Sequence, residues 1–148
     1  MKPLPAAVCI PIVLALTACA SPFRYDGLLR SADPFELRCA ASSDCIDSLE
    51  PSGLPALRFA GSAGQAQRQL VATLGSYAEA QIQQVDPRRV KAVFTTPAGA
   101  MDEVEFNINE SAGRIDFRSR SRSGPFDAGK NRSRMLEFSN RFAAGSRG

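Results

Sequence analysis

The chain has 148 residues, 44% of them hydrophobic and 22% charged, enough for one domain with a core of its own. Its net charge of +3 is too small to argue for nucleic acid, and it has no His, which removes the commonest general base and the commonest metal ligand. The charge is uneven. Residues 20–87 carry five basic and eight acidic side chains, and residues 88–148 carry twelve and seven. The basic half suits either an acidic lipid or polysaccharide partner or a solvated, internally paired surface.

Met1-Lys2 is followed by an apolar run from Ala6 to Leu16, too short to cross a bilayer as a helix. A positive start, a short apolar core and small residues after it read as a secretory signal. Its end, Leu16-Thr17-Ala18-Cys19, resembles the bacterial lipobox. The resemblance implies cleavage before Cys19 and a diacylglycerol on its thiol, so that acyl chains bind the membrane and no transmembrane helix is needed. A plain signal peptide with a chance Cys is the alternative. Ala20 and Ser21 follow the Cys without an Asp, which by the same resemblance directs the protein to the outer membrane, facing the periplasm. The expected division is a signal over 1–18, a tether over 19–37, one domain over 38–143 and a frayed end over 144–148.

Cys39 and Cys45 enclose Ala-Ala-Ser-Ser-Asp. In an oxidising compartment a disulfide is the default, holding a short Ser/Asp-rich loop in one shape. Five residues between the thiols do not match the Cys-x-x-Cys redox spacing, and two thiols without further ligands cannot complete a tetrahedral metal site. No cofactor or metal is expected.

Leu54 to Phe59 reads as an edge strand, since Pro55 cannot donate to a ladder. Gln65 to Gln81 has a helical pattern, with Ser62 or Gly64 near its cap and Leu70, Leu74 and Tyr77 on one face. Asp86-Pro87 ends that segment. Val90 to Thr96 reads as a strand. Asp102 to Asn109 alternates strictly, with Val104, Phe106 and Ile108 inward and Glu103, Glu105 and Asn107 outward. After a loop at Glu110-Ser-Ala-Gly113, Arg114 to Ser123 alternates again with Ile115 and Phe117 inward. Lys130 to Phe142 reads as a helix with Met135, Phe138, Ser139 and Phe142 as its stripe. The order β-α-β-β-β-α predicts an α+β fold: a small antiparallel sheet with two helices packed on one face.

The stretch from Arg114 to Arg134 holds seven basic residues and two acids. Pairing Ile108 with Ile115 keeps the apolar sets together, because a slip of one residue would turn them over. That register sets Glu105 opposite Arg118 and Glu103 opposite Arg120, leaves Arg122 without a strand partner, and makes Asp127 its candidate. Two readings follow. Arg118, Arg120, Arg122, Asp127, Asn131 and Arg134 form a structural network. Alternatively the Arg row, spaced about 6.5–7 Å by the strand repeat, binds an anionic small molecule, lipid head group, glycan or envelope partner through forked guanidinium contacts. The helix start near Lys130-Asn131 would add backbone donors. Asn131, on the core side of the first turn, is placed to bond the backbone of the 124–129 loop. Arg-Ser alternation brings RNA-binding tails to mind, but apolar alternation within an exported protein argues against nucleic acid. A catalytic reading, an envelope hydrolase with a Ser/Lys-type site, has only Ser119, Ser121 and Asp127 with Lys130 as base, at a spacing that matches no recognised Ser–Lys pattern, and no catalytic residue is assigned. The sequence fixes no oligomeric state.

Arg118-Ser-Arg-Ser-Arg-Ser-Gly124, Asp127-x-Gly129-x-Asn131-Arg132-x-Arg134, Asp102-Glu-Val-Glu-Phe106 and Cys39-x5-Cys45-Ile-Asp-Ser48 together resemble the domain of unknown function 1499 family, over about residues 38 to 142. The resemblance implies one domain and an envelope location, and no activity. It marks Arg118, Ser119, Ser121, Arg122, Gly124, Asp127, Gly129, Asn131 and Arg134. Arg120 stands where the pattern has a small residue.

Overall fold

The computed structural model describes residues 37–39, 43–124 and 127–146. They form β1 (Cys45–Asp47), β2 (Leu57–Arg58), α1 (Ala63–Gly75), β3 (Ala80–Asp86), β4 (Arg89–Thr95), β5 (Met101–Asn109), β6 (Arg114–Ser121) and α2 (Lys130–Gly145). The strands make one antiparallel sheet in the order β1-β6-β5-β4-β3, and β2 pairs with the start of β6 on the edge it shares with β1. The expected signal, Cys19 and the tether up to residue 36 lie outside the described residues.

Alternation along β4, β5 and β6 puts Val90, Ala92, Phe94, Val104, Phe106, Ile108, Ile115 and Phe117 on one face, nearly all fully buried. Both helices pack there. α1 contributes Ala66, Leu70 and Leu74, and α2 contributes Met135, Phe138 and Phe142, to a single core cluster. Phe106 lies 5.1 Å from Phe138 and 6.4 Å from Phe117 between ring centroids, and Tyr77 lies 5.4 Å from Phe94. Such tilted and edge-on pairs add to the burial of area. α1 begins at a capping box: the Ser62 hydroxyl accepts from the Gln65 N–H while the Gln65 side chain accepts from the Ser62 N–H. This α+β fold, with two helices on one face of an antiparallel sheet, is the class the periodicity predicts.

Several element boundaries differ from the sequence reading. The helix expected over 65–81 stops at Gly75, and residues 80–86 form the edge strand β3. Tyr77 extends the apolar stripe past the true helix end because it is buried in the core from the turn that follows. Gln81, Gln83 and Gln84 carry no clear period, so pairing with β4 decides the strand. Cys45-Ile46-Asp47 is a strand too short to show in a pattern, and of the strand expected over 54–59 only Leu57–Arg58 pairs. At the C-terminal side, α2 runs to Gly145, past the expected Phe142.

Candidate functional site: an arginine face and a buried polar staple

The β5–β6 hairpin has the register worked out from the sequence: Ile108 faces Ile115, Phe106 faces Phe117, Glu105 faces Arg118 and Glu103 faces Arg120. The Glu and Arg side chains therefore share the face away from the helices. β1 extends the row, with Asp47 opposite Arg118 and Cys45 opposite Arg120, and β4 sets Lys91 opposite Glu105.

The three arginines are not equivalent. Arg118 is 15% exposed, and its partner Glu105 also takes Lys91, at 3.6 and 2.9 Å. Arg120 and Arg122 are 49% and 46% exposed, and both bond to Glu103. Arg120 donates to Glu103 Oε1 from Nη2 at 3.0 Å and from Nε at 3.3 Å; Arg122 donates to Oε2. Burial would push the Glu103 carboxyl up, but the hydrogen bonds from Arg122 and Arg120, with their charges, outweigh it and hold the group below the usual carboxylate range. Arg122 thus has a strand-face partner after all, and it is Glu103, not Asp127: a carboxylate has lone pairs enough for two guanidiniums.

Asp127 serves the other face. Its Oδ1 accepts from the Gly129 N–H at 2.8 Å, and its Oδ2 accepts from the Asn131 N–H at 3.0 Å and the Asn131 side-chain amide at 2.7 Å. Gly129, at φ 76°, offers no side-chain cap, so Asp127 caps α2 from two residues earlier. Burial would raise its carboxyl as well; the donors from Asn131 and Gly129 overcome this and lower it. The N–H groups of Gly129, Lys130 and Asn131 at this helix start are therefore taken by Asp127.

Asn131 is 1% exposed and joins three elements. Its Nδ2 also donates to the Asp44 carbonyl at 3.1 Å, inside the disulfide loop. Its Oδ1 accepts from the Ser119 hydroxyl at 2.5 Å and from Arg134 Nη1 at 3.0 Å. Arg134 Nη2 donates to Asp102 at 2.6 Å, and its guanidinium lies 4.8 Å from the centre of the Phe94 ring. The expected bond from the Asn131 amide to the 124–129 backbone is replaced by one to the Asp127 side chain. No periodicity or spacing in the sequence points to Asp44, whose carbonyl accepts from the Asn131 amide. Asp102 was legible: two residues before Val104 on a period-2 strand, it must face the core.

The Cys39–Cys45 disulfide is formed, with S–S 2.05 Å. The catalytic reading loses its buried serine: Ser119 is fully enclosed and its hydroxyl is committed to Asn131. Ser121 Oγ accepts from the Ser123 N–H, and Lys130 is exposed at the first position of α2. No three His, Cys, Asp or Glu side chains group as a metal site among the described residues, and no helix there is long and apolar enough to cross a membrane.

The candidate residues thus divide among a half-exposed pair, Arg120 and Arg122, a more enclosed Arg118 on the same sheet face, and a buried polar staple under the other face. This is a small α+β domain with a built polar interior and a cationic outer face. The family described as protein of unknown function (DUF1499) matches residues 33–142, most of the chain, and the chain belongs to that family. No curated protein matches it.

Proposed function

We propose that this is a lipid-anchored protein of the bacterial cell envelope, held at Cys19 on the periplasmic side of the outer membrane, whose domain binds an anionic group through Arg120 and Arg122. The anchor reading is supported by Leu16-Thr17-Ala18-Cys19 after a short apolar run, and the Cys39–Cys45 disulfide suits an exported protein. The observation that carries the binding reading is that two guanidiniums, each about half exposed, share one carboxylate. Arg118 and Arg134, at 15% and 12% exposure, are bound inside the fold and take the structural part of the network.

Thermal unfolding of the chain against phosphate, acidic phospholipid head groups and uronic acids tests the binding. The expected result is a saturable stabilisation, about 2.7 kcal/mol at a hundredfold excess over Kd, that disappears in Arg120→Ala/Arg122→Ala. An unchanged anion profile in a folded double variant would remove the binding reading. Incorporation of labelled fatty acid, abolished by Cys19→Ala, tests the anchor separately.

A further inference from the structure

The next step rests on the anion-binding reading of Arg120 and Arg122 and specifies its ligand. Glu103 sits between the two guanidiniums and uses one edge of Arg120 and one nitrogen of Arg122. Nη1 of Arg120, and Nη1 and Nε of Arg122, keep no partner among the described residues. Glu103 is itself 10% exposed, whereas both arginines reach water. Two cations over one anion leave one surplus positive charge, with unused N–H donors on the solvent side. The adjoining group on the same face, Lys91 and Arg118 with Glu105 and Asp47, holds two charges of each sign and adds no surplus.

A ligand with one negative charge neutralises that surplus. A ligand with two sets its second charge against the Glu103 carboxylate, which has no further cation to share. We infer that the Arg120–Arg122 site takes a singly charged oxyanion, a carboxylate or a phosphodiester, and that Glu103 determines this preference by standing as a fixed internal anion beneath the pair. Glu103 also holds the two guanidiniums in place, so that fewer rotamers are lost when the ligand arrives.

The test titrates the full chain with dimethyl phosphate, with glucuronate and with sulfate, following the arginine Nε–H resonances. Wild type binds the two monoanions at least as tightly as sulfate. Glu103→Gln reverses the order: sulfate tightens by about tenfold and the monoanions by about threefold, as expected from removing one like charge at close range. Arg120→Gln leaves Arg122 and Glu103 as a balanced pair, so it loses all three ligands and keeps its melting temperature. If Glu103→Gln does not fold, the wild-type order of the three anions decides. Binding that is lost in Arg120→Gln but ranks sulfate first in wild type, or is unmoved by Glu103→Gln, overturns the inference and leaves the anion site standing. No saturable binding of any of the three overturns both. Binding of the phosphodiester without the uronate, or the reverse, supports the inference and identifies the source.

Discussion

Asn131 is bonded on every side, and its two ends are not interchangeable. Oδ1 takes two donors and Nδ2 meets two acceptors, so the partners dictate which way the amide points. Asn131→Ala should cost about 3 kcal/mol, because Ser119, Arg134 and Asp127 each lose a buried partner. Asn131→Asp should cost more, since it sets a second carboxylate against Asp127. Urea unfolding measures both, and an equal or smaller loss in Asn131→Asp would contradict this account. Gly53 is a second fixed point: a Cβ there would stand 2.1 Å from the Asp47 carbonyl oxygen, which accepts from the Leu54 N–H. Gly53→Ala must therefore displace backbone, and a loss of about 2 kcal/mol or more is expected in the same assay. Tyr77 differs in kind. Its hydroxyl is buried with no hydrogen-bond partner among the described residues, and burial pushes its pKa to about 12. A raised pKa adds stability that is whole below pH 10 and is lost as the pH climbs towards 12. Tyr77→Phe should flatten the alkaline limb of the stability curve without lowering stability at pH 7.

At the scale of elements, the β5–β6 hairpin was readable in full, because a one-residue slip would turn one apolar set over and the short loop over residues 110–113 excludes a slip of two. The partners of its arginines were not. Strand spacing put Arg122 beyond the last Glu, whereas a long side chain reaches back diagonally to one already in use. The division of the row gives a prediction. Arg118→Gln should lower the melting temperature measurably, because its guanidinium is only 15% exposed beside Glu105, while Arg120→Gln, at a guanidinium 49% exposed, should leave it nearly unchanged. Equal effects would mean that the two guanidiniums are not differently placed. The hairpin and the α2 cap also set the acid limb. Glu103 and Asp127 both titrate lower folded than unfolded, so their stabilisation is present above about pH 4.5 and 3.8 and is lost as pH falls below those values. Asp127→Asn should be less stable at pH 7 and show a shallower acid loss, as read by circular dichroism along a pH series. A steeper acid loss would mean that another group dominates.

Across the whole molecule, one sheet separates two kinds of polar chemistry. Under the helices, Asp127, Asn131, Ser119, Arg134 and Asp102 tie α2, β5, β6 and the disulfide loop together. On the opposite face, the cross-strand charges lie closer to solvent. Alternating residues on a single strand feed both sets, so Arg118-Ser119-Arg120-Ser121-Arg122 reads in sequence as one basic repeat. In space it is a ladder turned to two sides. The amino-acid order alone determined the α+β class, the hairpin register and the family, because each follows from short-range periodicity or from an ordered motif, and it set Cys39 and Cys45 close enough along the chain to pair. The Asp127 cap is also local, made to groups two and four residues further along the chain. Only the tertiary structure decided that residues 80–86 are a strand and that Glu103 is shared by two arginines. Those outcomes depend on which groups long-range packing brings within about 3 Å of one another, and neighbours along the chain do not set that distance.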